Sequence, residues 1–129
     1  MTSKPIIAIV DDDESVRAAM SGMVESFGYS VGLFESADEF LQSDGPAGTA
    51  CLILDVQMPG KTGLDLHNEL VASGHQIPTI FVTAYPEARV RDRAMRAGAV
   101  CFLPKPFARD DLFGCIHRAL GGGGSGCSA

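Results

Sequence analysis

Five short apolar runs punctuate the chain: IIAIV at 6–10, YSVGLF at 29–34, ACLILDV at 50–56, TIFVTA at 79–84 and AVCFL at 99–103. They are too short for buried helices and rich in Val, Ile and Phe, so they read as strands. Because they are apolar throughout rather than alternating, they predict strands covered on both faces, as in a parallel sheet. Between them the period changes. Val16, Ala19, Met20, Met23, Val24 and Phe27 recur at helical spacing and define one face of a helix that Gly28 ends. Shorter helices are predicted over 36–43, 63–73, 87–97 and 109–120, the last with Leu112, Ile116, Ala119 and Leu120 on one side. The pattern is five strand–helix units in succession, which implies an α/β domain with right-handed crossovers and helices on both faces of the sheet.

Composition narrows this little. A chain of 129 residues, 46% hydrophobic, fits one domain with an ordinary core. We expect that domain over residues 1–120, with GGGGSGCSA at 121–129 as a flexible tail or the start of a linker. A formal charge of −6 and no basic stripe exclude a free-standing nucleic-acid binder, whose phosphate contacts need clustered Lys and Arg. The start, MTSKP, carries no basic leader, and no run approaches the length of a membrane span. The expected location is cytoplasmic, without membrane contact. Cys51, Cys101, Cys115 and Cys127 form no CxxC pair and are expected to be free structural thiols in a reducing compartment. His67, His75 and His117 lack metal-ligand spacing and read as surface or helix residues.

The chemistry is expected at one edge. Ligands of an open α/β sheet lie beyond the carboxyl ends of its strands, where the strand order reverses. The residues there are Asp11 to Glu14, Asp55 to Gly60, Thr83 to Tyr85 and Pro104 to Phe107. In a sheet ordered 2-1-3-4-5 the first and third strands are neighbours about 5 Å apart, so Asp11, Asp12 and Asp55 crowd one pocket. Their repulsion would be relieved by a hard divalent cation, Mg²⁺ or Mn²⁺, which would also shield a phosphoryl group approaching a carboxylate. Thr83 offers a hydroxyl and Lys105 an ammonium for a phosphoryl oxygen. Singly these residues have plainer roles: a helix cap for DDDES, a turn for Asp55, a strand position for Thr83, a solvated charge for Lys105. Their joint placement at four strand ends favours the functional reading.

The segments VDDDES, LILDVQMPGKTGLDL, FVTAYP and AGAVCFLPKPF resemble the receiver domain of two-component response regulators, over residues 4 to 120 and with most likeness to receivers of the FixJ type. The resemblance implies a flavodoxin-like, CheY-like fold and a phosphoacceptor role for Asp55, with a sensor histidine kinase as donor. It further implies a cation held by Asp12, Asp55 and the Gln57 carbonyl, with Asp11 acting through water, and Asp13 and Glu14 left to cap the first helix. Thr83 and Lys105 would hold the phosphoryl oxygens, Ala84 would leave room for them, and the Lys105–Pro106 bond would be cis. Phe102 stands where the family carries an aromatic that turns inward as Thr83 moves. Gln57 and Tyr85 occupy positions expected to tune loss of the phosphoryl group. The face made by residues 87–120, with Arg89, Arg91, Asp92, Arg93 and Arg96, is the expected surface for a second copy or an output partner.

Two other readings are open at this stage. IVDDDES also satisfies the pattern of haloacid-dehalogenase-type phosphohydrolases, with Asp11 as nucleophile and Asp13 as acid, but the later Asp110–Asp111 pair falls on a helix start rather than a strand. A receiver-like scaffold that works without phosphorylation is the third, opposed by the presence of Asp12, Asp55, Thr83 and Lys105 together.

Overall fold

The structure, a computed structural model, describes residues 5–43, 45–57, 60 and 62–121. The elements run β1 Ile6–Val10, α1 Glu14–Ser26, β2 Ser30–Phe34, α2 Ala37–Gln42, α3 Gly45–Gly48, β3 Cys51–Asp55, α4 Gly63–Ala72, β4 Thr79–Thr83, α5 Ala88–Arg96, β5 Cys101–Pro104 and α6 Arg109–Ala119. The five strands form one parallel sheet in the order β2-β1-β3-β4-β5. This is the predicted architecture, with ends shifted by one or two residues. The tail expected to be flexible falls, from residue 122 on, outside the described residues.

Strand alternation divides the core into two layers. Ile7, Ile9, Cys51, Ile53, Ile80, Val82 and Cys101 face α1 and α6, where they pack on Met20, Val24, Leu112 and Ile116. Ala8, Val10, Leu52, Leu54 and Phe81 face α2, α4 and α5, against Phe40, Leu66, Leu70 and Ala94. Because β1, β3 and β4 are buried on both faces, their sequences show no polar alternation, which is why they read as continuous apolar runs. Full burial of each Leu, Ile or Phe contributes about 1.5–3 kcal/mol. The rigidity of the strand ends rests on this packing.

Local signals set the helix ends. Asp13 caps α1 by accepting from the Val16 amide at 3.1 Å, and Glu14 adds charge to the first turn. Gly28 then takes a positive φ of 99°, the left-handed turn that lets the chain leave the helix. Thr62 and Asp65 form a reciprocal capping box at the start of α4. On α1, Met20 and Val24 are buried and Val16, Met23 and Phe27 half-buried, whereas Ala19 is exposed. The apolar stripe is therefore narrower than the spacing suggests.

The structure adds two details and corrects one expectation. The one-turn helix α3 was not foreseen in GPAG, a composition that reads as a loop; Ser43 Oγ accepts from the Gly45 amide at 2.9 Å and Thr49 Oγ1 donates to the Gly45 carbonyl at 2.5 Å, and these bonds hold the turn. His67 is a helix residue, one of the two places expected for it, and is buried at 5% exposed within α4, edge-on to Phe81 with ring centroids 5.6 Å apart. Cys101 and Cys115 are not free thiols: they form a disulfide, with Cα atoms 6.0 Å apart. That pairing depends on α6 folding back onto β5, a non-local arrangement that cysteine spacing does not reveal. Cys51 remains a buried thiol as expected.

Candidate functional site

The strand order reverses between β1 and β3, and the polar pocket lies there, beyond their carboxyl ends. Asp11 follows β1 and still belongs to the sheet through its amide, which donates to the Phe34 carbonyl at 3.1 Å. It is fully buried. Its Oδ1 accepts from the Asp13 amide at 2.9 Å and its Oδ2 from Lys105 Nζ at 3.0 Å. Asp55 closes β3, with Oδ1 taken by the Gln57 amide at 2.9 Å and Oδ2 facing the same Lys105 Nζ at 3.3 Å. One ammonium thus bridges two carboxylates from neighbouring strands. Asp12 is exposed, yet Asp11, Asp12 and Asp55 each bring one carboxylate oxygen within 4.8 Å of the others.

Lys105 reaches this place because its backbone is tied to β4, where its amide donates to the Thr83 carbonyl at 2.7 Å. The Lys105–Pro106 bond is cis, as the family resemblance implies. Thr83 is fully buried, and its hydroxyl accepts from the Tyr85 amide at 3.0 Å while keeping its own proton to donate. Ala84 and Tyr85 follow at the exposed rim, with Tyr85 64% exposed. Gln57 joins the pocket through its backbone, and its side chain is exposed. Phe102 lies apart from the carboxylates. It is half-buried on β5, pairs in register with Phe81, and lines a cleft of about 430 Å³ with Pro86, Glu87, Ala88, Arg91 and Pro104.

The electrostatics follow from burial. Desolvation raises the Asp55 carboxyl above its ordinary value; the Gln57 hydrogen bond and the Lys105 charge pull it down, and Asp11 pushes it up again. Burial alone would lower Lys105, but hydrogen bonds and charges from Asp11 and Asp55 outweigh it, so the ammonium is held more firmly than an ordinary lysine. Three carboxylates against one ammonium leave the pocket with excess negative charge. Hard oxygen donors in such a group fit a divalent cation.

Two residues that build the pocket escaped the sequence reading. Arg17, one turn into α1, donates from Nη1 to the Asp11 carbonyl at 2.6 Å and so fixes the backbone behind the carboxylate. The signal was a lone cation in the first turns of an acid-started helix. Gly63 begins α4 against the end of β3: its amide donates to the Val56 carbonyl at 3.1 Å, and a Cβ there would run into the Asp55 carbonyl. The T-G-L-D capping box beside it was legible but unread. The phosphohydrolase alternative fits this geometry poorly, because Asp11 is fully buried, Asp13 is the α1 cap, and Asp110 and Asp111 lie in the first turn of α6.

Fold and pocket together define a class, the open α/β domain whose polar site sits at the reversal of strand order. Within that class, residues 7–117 match the family model of the response regulator receiver domain, and the chain belongs to that family. It is 44% identical over 115 residues to the response regulator protein TmoT of Ectopseudomonas mendocina, covering 89% of this chain and 52% of that protein. It is 34% identical over 120 residues to the transcriptional regulatory protein FixJ of Bradyrhizobium diazoefficiens, covering 93% of this chain and 58% of that one. Among solved structures, the response regulator StyR superposes with a TM-score of 0.85 at 40% identity, over 92% of this chain and 60% of that chain. The FixJ-N structure gives 0.84 at 30% identity over 99% and 100%. The chain spans about half the length of the curated relatives it matches. It is a receiver domain, a module of two-component signalling.

Proposed function

We propose that Asp55 accepts a phosphoryl group from a histidine of a sensor kinase and that the resulting acyl phosphate resets the surface made by α5, β5 and α6. The observation that supports this most is the bridging of Asp55 and Asp11 by Lys105 Nζ at 3.3 and 3.0 Å, which puts a cation beside the attacking carboxylate. The Gln57 amide holds Oδ1 of Asp55, so Oδ2, on the Lys105 side, attacks phosphorus. The phosphorus–nitrogen bond of the phosphohistidine breaks as the phosphorus–oxygen bond forms, and the imidazole leaves and takes up a proton. Lys105 then exchanges its contact with Asp55 for a phosphoryl oxygen, and Thr83 turns its hydroxyl proton toward another. Exposed Ala84 leaves space above Thr83, and Tyr85 with Gln57 governs access of hydrolytic water.

Mg²⁺, or Mn²⁺, is the proposed cofactor, held by Asp11, Asp12, Asp55 and the Gln57 carbonyl. When bound it would neutralise charge between the carboxylates and the incoming phosphoryl group. Two surfaces support partner roles. An apolar groove of about 420 Å³ between Val16, Ala19, Met20 and Met23 of α1 and the Lys105–Phe107 loop opens beside the acceptor and suits a kinase helix. On the opposite side, exposed Arg89, Arg91, Arg93 and Arg96 suit an acidic output partner or a second copy. No helix among the described residues is long and apolar enough to cross a membrane, and a cytoplasmic location is proposed with the kinase reading.

The test is labelling with acetyl phosphate and Mg²⁺, read by intact mass. Wild-type protein should gain one phosphoryl group, Asp55→Asn none, and Asp12→Asn little. Labelling that persists in Asp55→Asn would sink the assignment.

A further inference from the structure

The Cys101–Cys115 disulfide closes a loop around the lysine of the site. Cys101 opens β5, Lys105 follows four residues later, and Cys115 lies in the middle of α6. The bond therefore ties together the strand that delivers Lys105 and the helix that follows it. Cys101 faces the α1–α6 layer, while Phe102, next in the chain, packs against the other layer. A shift of α6 against the sheet thus acts directly on the backbone that holds both Lys105 and Phe102.

The surroundings of the two sulfurs differ from those of an inert core thiol. Arg118 Nη1 stands 3.3 Å from Cys101 Sγ, and Arg118 itself is exposed. A thiolate formed on reduction would meet a counter-charge there, the setting in which cysteines react. Cys101 and Cys115 keep 7% and 6% of their surface open. Cys51 provides the contrast: it is fully buried, has no cation beside it among the described residues, and burial pushes its thiol up to about 12. In a reducing compartment a disulfide is ordinarily transient and redox-sensing rather than structural.

We propose that Cys101 and Cys115 form a reversible redox site, oxidised by low-molecular-weight disulfides, whose closed form slows phosphoryl transfer to Asp55. The Cys101 thiolate attacks the external disulfide, forming a mixed disulfide and releasing one thiol. Cys115, giving up its proton, then attacks the Cys101 sulfur and releases the second thiol. Two protein thiols are oxidised and one external disulfide is reduced, and a dithiol reductant runs the exchange backward. The closed form holds β5 and α6 in the arrangement that pins Lys105 on Asp11 and Asp55, so the lysine turns less readily toward an incoming phosphoryl oxygen. The redox chemistry rests on the cytoplasmic part of the proposed function; its effect on the site rests on the phosphoacceptor part.

The full chain carrying Cys127→Ser retains Cys51, Cys101 and Cys115 of its four cysteines. After equilibration with oxidised glutathione, denaturation and alkylation with iodoacetamide should give one adduct by intact mass; after native treatment with dithiothreitol, three. Arg118→Gln should slow the oxidation. Acetyl phosphate should label the oxidised form about fivefold more slowly than the reduced one, the low end of ordinary coupling between sites. Cys115→Ser should label alike in both buffers. Three adducts after glutathione, or one after dithiothreitol, overturns the redox site. Equal labelling of the two forms overturns the coupling. If neither form labels, the phosphoacceptor reading fails separately; amide exchange over residues 101–107 then decides the coupling, and identical protection in both redox forms overturns it.

Discussion

Replacing Lys105 by methionine isolates the charge at the centre of the site. The substitution keeps a long unbranched side chain and removes the ammonium that bridges Asp11 and Asp55. Asp11 is 0% exposed at its side chain, Asp55 10% and Lys105 18%. Removing one partner of a fully buried ion pair costs about 3–5 kcal/mol. Here two carboxylates lose the same partner, but Lys105 is partly solvated and one acid can take up a proton. We therefore expect a loss of about 2–3 kcal/mol near pH 7 without divalent cations, or about 8–12 °C in Tm for a domain of this size.

The pH dependence carries the sharper signature. Lys105 has its pKa raised in the fold, so its contribution is complete below the ordinary lysine value and is lost only as pH rises through the folded one. Asp55 has its pKa raised, so the fold favours its protonated form and resists ionisation as pH climbs above the ordinary carboxyl range. Without the ammonium that resistance grows. The deficit of Lys105→Met relative to wild type should shrink toward acid, where Asp55 takes up a proton, be largest around neutrality, and shrink again in strong alkali. Urea melts in EDTA at a series of pH values measure it directly. A deficit below about 0.5 kcal/mol at pH 7, or one equal at pH 5 and 7, would refute the account, since exposed pairs contribute that little at any pH.

Millimolar Mg²⁺ should raise the Tm of wild-type protein through binding to the folded form alone, and Asp12→Ala should abolish the gain; an undiminished gain in that variant would place the cation elsewhere. Gly63→Ala should lose about 1–3 kcal/mol by overpacking against the Asp55 carbonyl, and unchanged urea midpoints would show that α4 can retreat freely. His67 is buried with Nδ1 unpartnered among the described residues and its pKa lowered by desolvation, so wild type should lose stability as pH falls below the ordinary histidine value, where only the unfolded chain takes the proton. His67→Leu should show a flatter decline between pH 7 and 5, and parallel curves for the two proteins would refute the reading.

The parts of the fold that were legible in the sequence are those set by local period. Strands β1, β3 and β4 are buried on both faces apart from Ile6, so their apolar residues follow one another without polar alternation and the run announces itself. α1 shows its stripe because its buried residues recur at helical spacing, and it breaks at Gly28 because only a residue free to take positive φ turns the chain there. α3 left no such trace. A turn of four residues has no period, and its bonds come from Ser43 and Thr49 side chains whose partners cannot be read from residue type.

The site divides along the same line. Asp11, Asp12, Asp55, Thr83 and Lys105 were legible because the rule that strand ends converge at a reversal of order brings four distant stretches of sequence to one edge. What could not be read is what each side chain does once there. The Lys105 bridge depends on its amide reaching the Thr83 carbonyl. The role of Gly63 depends on how closely α4 approaches Asp55, and the Cys101–Cys115 bond on how α6 returns to β5. Each is a matter of distance between elements, and side-chain type constrains distance only after packing has set it. The acidic crowding that stands out in the sequence is thus half of the design. The other half is the Lys105 ammonium, set just beyond the end of β5, which bridges Asp11 and Asp55 and offsets part of that charge, so that the pocket stays net negative.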